Sequence, residues 1–152
     1  MWKIQQNLAL LMENPFPTCL KAYCETFGIS FFDLRLLCIF CKKYLTIVDL
    51  AQFYKKDLCL VWRNHVAFGC CYKCICLSAR YESDNHFVCA VKVQNLHDFL
   101  NCSLENIHIR CYYCLSVLTL SEKVDLITRG KSACLVRGYW RAPCSECINR
   151  DI

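Results

Sequence analysis

One cysteine frame occurs twice in this chain: Cys38-x2-Cys41-x29-Cys71-x2-Cys74, and then Cys111-x2-Cys114-x29-Cys144-x2-Cys147. Each cysteine of the first set falls on one of the second when 73 is added to its number. With 16 cysteines in 152 residues, three further accidental matches have odds of about one in a thousand per starting position, so the frame marks a tandem duplication. Two residues between paired cysteines let both sulfurs of a tight turn face one ion, and four thiolates complete a tetrahedral zinc site. Cys38, Cys41, Cys71 and Cys74 are expected to hold one Zn2+, and Cys111, Cys114, Cys144 and Cys147 a second.

Disulfides are the main rival, because cysteine at this density is typical of small secreted scaffolds. Residues 1–12 carry one Lys, an apolar run of only Leu8 to Met12 and no small-residue cleavage pattern, so a secretory signal is not expected. A reducing compartment follows, and there paired Cys-x2-Cys motifs read as metal ligands. A thioredoxin-like reading would need one active pair in a βαβ setting, which four pairs in register do not suggest. Rubredoxin-like iron is the closer alternative, since all-sulfur tetrahedral sites suit zinc or iron. Such knuckles usually place Gly after the second cysteine, where Lys42, Ile75, Leu115 and Ile148 stand here.

The cysteine frame divides the chain into an N-terminal arm (1–30, broken by Pro15 and Pro17), a first module (31–75), a linker helix and connection (76–105), and a second module with a short tail (106–152). Met12 is a second candidate start. Modules this small seldom bury enough apolar surface to hold alone. Structural zinc contributes roughly 10–16 kcal/mol in small peptides, and that becomes folding free energy. The formal charge of +5 counts every cysteine as neutral. A Zn2+ with four thiolates carries −2, so two loaded sites bring the chain to about +1, and bulk charge argues little for nucleic acid. The remaining cysteines, Cys19, Cys24, Cys59, Cys70, Cys76, Cys89, Cys102 and Cys134, read as small apolar filler.

Local patterns repeat with the frame. Leu34 and Leu36 alternate into the first knuckle as Ile107 and Ile109 do into the third, which predicts matching short strands. Thr46 with Asp49, and Thr119 with Glu122, are capping boxes that predict helix starts. The stretch Leu58 to Arg63 and its counterpart Ala133 to Arg137 predict hairpins turning at Asn64-His65 and at Gly138. Ile75 to Val91 lacks Gly and Pro and is expected to be the connecting helix. The fold class is mixed α/β (α+β) and zinc-stabilised: two homologous four-cysteine modules joined by a helix.

The two Cys-x2-Cys-x29-Cys-x2-Cys modules with an x36 connection between them, Asp57-Leu58-Cys59-Leu60-Val61-Trp62-Arg63 in the first and Arg137-Gly138-x-Trp140 before the last knuckle, resemble papillomavirus early protein six. The likeness runs from about Phe31 to Cys147. It implies a non-enzymatic viral adaptor that captures acidic Leu-x-x-Leu-Leu helices of host proteins between its modules. The implied partners are a HECT-type ubiquitin ligase or Mastermind-like Notch coactivators. Redirected degradation, suppression of apoptosis through regulators such as BAK and of host defence, and modulated transcription would follow. Weak DNA binding, weak self-association, and a location in host nucleus and cytoplasm belong to the same expectation. Matching positions give Phe40, Leu58, Val61 and Ile75 as the apolar wall of the groove, with Arg63 and Arg110 as carboxylate partners, a role suited to the planar guanidinium.

Two departures from the family pattern stand out. Tyr139 replaces the second Arg of Arg-Gly-Arg-Trp, which leaves the choice of ligase open. The last four residues, Asn149-Arg150-Asp151-Ile152, put Arg150 where a PDZ ligand needs Ser or Thr, so no PDZ binding is expected. No catalytic constellation is found. Gly130-Lys131-Ser132 lacks the first glycine of a phosphate loop, and His65, His86, His97 and His108 form no ligand spacing. A zinc-dependent DNA-binding or transcription-regulating protein remains the alternative function.

Overall fold

Paired threonines start the two helices that follow the first and third knuckles. The computed structural model describes residues 16–149, and the chain divides into two compact units between Ile75 and Cys76. In the first unit the Thr46 hydroxyl accepts from the Asp49 amide while the Asp49 carboxylate accepts from the Thr46 amide, opening helix α2 (Ile47–Lys55, with α1 preceding it at Leu20–Phe27). In the second unit Thr119 and Glu122 do the same for α5 (Leu120–Thr128), the last helix in a unit that also holds α3's C-terminal part (α3, Tyr72–His86) and α4 (Val93–Leu100). Each box satisfies amides that a helix start otherwise leaves orphaned. Thr46→Ala and Thr119→Ala are each expected to cost about 1 kcal/mol, read by denaturant unfolding of the metal-loaded protein.

The first unit's sheet has the order β1-β3-β2, with β1 (Leu37–Cys38) parallel to β3 (Val66–Gly69) and β2 (Val61–Arg63) antiparallel to it. Asn64 and His65 both take positive φ, the two-residue left-handed turn that matches strand twist in a hairpin. Leu20, Leu36, Leu50, Phe53, Leu60 and Ile75 fill the core. At Gly69 an added Cβ would stand 2.7 Å from Leu45 Cδ1, so sheet and knuckle meet there without room for a side chain.

The second unit repeats this arrangement. Strand β5 (Ile109–Cys111) is parallel to β7 (Tyr139–Ala142), and β6 (Ser132–Val136) is antiparallel to β7, turning at Arg137 and Gly138. The registers correspond as well, because the Leu37–Phe68 pair of the first sheet falls on the Arg110–Arg141 pair of the second under the same offset as the cysteines.

The duplication also reaches further back than the cysteines reveal. Helix α1 maps onto α4, and their left-handed caps Gly28 and Asn101 correspond as well. Short 3-10 turns at Phe31–Asp33 and Leu104–Asn106 match too. The repeat therefore begins at Leu20 and Val93, inside segments whose sequence suggested an arm and a linker. Residues 1–15 of the expected arm, with Met12, lie outside the described residues.

The connecting helix differs from its expected span. It covers Tyr72–His86, after which Phe87–Lys92 is strand β4, antiparallel to β6 with a bulge near Phe87. Ile75, Leu77, Ala79 and Tyr81 are helical despite their alternating spacing, whereas Phe87, Val88 and Val91 favour a strand once β6 offers an edge. In the first unit Phe16 to Thr18 stands at the positions that correspond to Cys89 to Val91 of β4. Pro17 has no N–H to donate, so what remains is Leu60 N–H donating to Thr18 O at 2.6 Å, with Trp62 Nε1–H donating to Pro17 O at 2.7 Å. Among the described residues the first sheet thus keeps three strands and the second gains a fourth.

Lys123, buried on α5, sits where the first unit has Leu50. Its Nζ donates to the carbonyls of Leu104 and Ile107 and ties the helix to the 3-10 turn.

Candidate metal centres and partner-binding residues

Each cluster is assembled from the end of a short strand and the approach to a helix or turn. Cys38 ends β1 and Cys111 ends β5, and both hold a tight turn closed by Lys42 N–H to Cys38 O and Leu115 N–H to Cys111 O. The parallel strand pairing brings Cys71 and Cys144 alongside, just beyond Gly69 and Ala142. The sulfurs of Cys38, Cys41, Cys71 and Cys74 all lie within 4.8 Å of one another, as do those of Cys111, Cys114, Cys144 and Cys147. Cys41 and Cys71 sulfurs are 3.9 Å apart, and Cys114 and Cys144 likewise. A tetrahedron with metal–sulfur bonds of about 2.3 Å has edges of about 3.8 Å, so each cluster can hold one four-coordinate metal ion.

The amides around the clusters favour thiolates. Burial opposes ionisation of Cys38, but the N–H groups of Cys41, Cys71 and Phe40 outweigh it and bring the thiol to about 7. In the second cluster the hydrogen bond with Cys114, and then burial, push Cys111 up, against donation from the Cys144 and Tyr113 amides at 3.4 Å each. Burial, followed by the charge of Cys114, raises Cys147 to about 12. Loading such a site releases protons, so its affinity falls as pH is lowered. The two clusters also differ in access: Cys41 is exposed, whereas all four cysteines of the second are buried.

Asp49 and Glu122 do more than cap helices. Asp49 Oδ1 accepts from the Tyr72 amide at 3.1 Å, and Glu122 Oε2 from the Ser145 amide at 2.7 Å. Tyr72 and Ser145 follow the first cysteines of the second knuckles, so one carboxylate in each module fastens helix start to metal knuckle. Burial pushes the Glu122 carboxyl up, but the Ser145 and Thr119 amides outweigh it and hold it below the ordinary value. Its contribution is present above the ordinary carboxylate pKa and is lost as pH falls through the depressed one. Sequence reasoning found the caps and missed this second bond, whose signal was an acid at matching positions in both halves.

Glycine is not needed for the knuckle turn here. Lys42 and Leu115 have positive φ without being glycine, so the turn that glycine usually serves is present in the first knuckle of each module.

The sequence matches the Early Protein (E6) family over residues 38–147. The chain belongs to the papillomavirus E6 family. Protein E6 of human papillomavirus type 48 is 46% identical over 140 residues, covering 92% of this chain and 99% of the relative. That of type 60 is 43% identical over 138 residues, covering 91% and 97%, and that of type 8 is 33% identical over 135 residues, covering 89% and 87%.

The groove residues expected from the E6 resemblance divide by environment. Phe40, within the first knuckle, is 42% exposed, and Arg63 is exposed at the end of β2 with Nη1 donating to Trp62 O. Leu58 is 2% exposed, and Val61 and Ile75 are also buried, all in the first unit's core. Arg110 belongs to the second unit, is 7% exposed, and donates from Nη1 to Leu115 O at 2.9 Å. It stands beside buried Arg141 in the β5–β7 register. Glu82 is buried in the same unit. Desolvation raises its pKa against the charges of Arg141, Arg137 and His86, and its Oε1 has no hydrogen-bond partner among the described residues. An open, mostly apolar cavity of about 490 Å3 in the first unit, lined by Leu20, Cys24, Phe31, Ala51 and Tyr54 among others, includes none of the groove residues. Arg150 lies outside the described residues.

Proposed function

We propose that this E6 protein is a non-enzymatic adaptor, held by one structural Zn2+ in each four-cysteine cluster, that binds acidic Leu-x-x-Leu-Leu helices of host proteins. The observation that carries the reading is the pair Phe40 and Arg63, a large aromatic ring and a cation left exposed on a metal-stabilised unit. An amphipathic acidic helix needs both an apolar contact for its leucines and a cation for its carboxylates. Within this reading a HECT-type ubiquitin ligase or a Mastermind-like coactivator is the partner, in host nucleus or cytoplasm, and redirected degradation, restraint of apoptosis and altered transcription are the outputs. Absence of PDZ binding belongs to the same proposal.

Calorimetry with an acidic Leu-x-x-Leu-Leu peptide tests it. Phe40→Glu combined with Arg63→Glu, both at exposed positions, should weaken binding about 100-fold, equivalent to about 2.7 kcal/mol, while metal analysis still finds two zinc ions per chain. Unchanged affinity would remove the adaptor reading. A steep fall of binding to duplex DNA with salt, without any peptide binding, would favour the DNA-binding alternative.

A further inference from the structure

Cys70 sits directly before the ligand Cys71, and its side chain is fully buried. In the β1–β3 pairing Cys38 stands opposite Gly69, with Ile39 N–H donating to Gly69 O at 2.9 Å, so the next residue, Cys70, arrives beside Cys38. It remains outside the set of four sulfurs within 4.8 Å of one another. Cys70 is therefore a neighbour of the first centre and not one of its four ligands. At the corresponding position of the second centre stands Pro143, which carries no thiol.

We infer that Cys70 is a reserve ligand of the first metal centre, able to replace Cys38 as fourth thiolate when that sulfur is lost. The inference rests on the clusters holding metal. On exchange the Cys70 S–H gives its proton to solvent and its sulfur takes the open coordination position, leaving charge and sulfur count at the ion as before. A shift of the side chain suffices, since Cys71 already fixes the backbone beside the ion. Neutral filler, the reading that sequence alone suggests for Cys70, makes the opposite forecast: losing Cys38 would cost the site its fourth sulfur.

Cobalt(II) loading of the full chain distinguishes them, because the visible and charge-transfer bands of tetrahedral Co2+ report how many sulfurs surround it. Wild type and Cys70→Ser should each bind two Co2+ with four-sulfur spectra. Cys38→Ser should also bind two, both with four sulfurs, whereas Cys38→Ser with Cys70→Ser should bind one. Cys111→Ser, which has Pro143 in place of a reserve thiol, should bind one. The inference is overturned if Cys38→Ser binds a single ion, folded or not, or shows a three-sulfur spectrum at the first centre. Two ions in the double variant would overturn it equally, since serine or water would then be doing the work of Cys70. No cobalt in wild type would instead remove the metal reading itself.

Discussion

Cys111→Ser is expected to unfold the second unit while leaving the first folded. Cys111 is fully buried at the end of β5, and its sulfur accepts from the amides of Tyr113 and Cys144 as well as facing three other sulfurs. A serine in its place leaves the ion under-coordinated and the two knuckles no longer fastened to each other. Structural zinc is worth roughly 10–16 kcal/mol in small peptides, as much as or more than the ordinary net stability of about 5–15 kcal/mol for a whole domain. Amide hydrogen exchange of the zinc-loaded variant should show protection lost across Ile109 to Cys147 and kept across Leu36 to Cys74. Equal loss in both halves would mean that the units do not fold independently.

Leu58→Glu should unfold the first unit rather than mark a peptide contact. The leucine is part of the core that closes over α2, alongside Phe53 and Leu60. Truncating such a side chain costs about 2–5 kcal/mol, and burying a carboxyl without a partner adds about 1–3 kcal/mol more. Far-ultraviolet circular dichroism and metal content should both fall, whereas Phe40→Glu should change neither. If Leu58→Glu keeps full helicity and two metal ions, the placement of Leu58 in the core is wrong.

How much was legible in the sequence followed from how local each signal was. Cysteine spacing, the Thr46 and Thr119 caps and the turns at Asn64-His65 and Gly138 each express chemistry confined to a short stretch of chain, and all are found where expected. The duplication of α1 in α4 was hidden because Leu20–Phe27 and Val93–Leu100 share no residue at any matched position, only a helix and a left-handed cap. Strand β4 was hidden because its hydrogen bonds go to β6, which lies beyond α4, β5 and α5 along the chain, a partner that no short window of sequence contains. The burial of Leu58, Val61, Ile75 and Arg110 is likewise a tertiary fact. Motif matching can name such positions, but it cannot say which of them reach the surface.

The carboxylate that joins helix start to metal knuckle bears on how the two halves could drift apart. Between Cys38–Cys74 and Cys111–Cys147 the same residue recurs at just six positions: the four cysteines, Leu45 with Leu118, and Thr46 with Thr119. Asp49 and Glu122 add a seventh that differs by one methylene yet reaches the same two amides. Those seven positions form a spine that holds ion, turn and helix in place, and the chemistry elsewhere is free to change. One half could keep Leu37 and Phe68 as a paired apolar couple while the other set two guanidiniums at the matching sites, Arg110 and Arg141. A gene that doubles such a spine obtains two frames of one shape whose interiors can be filled by unrelated chemistry, apolar side chains in one and buried guanidiniums in the other.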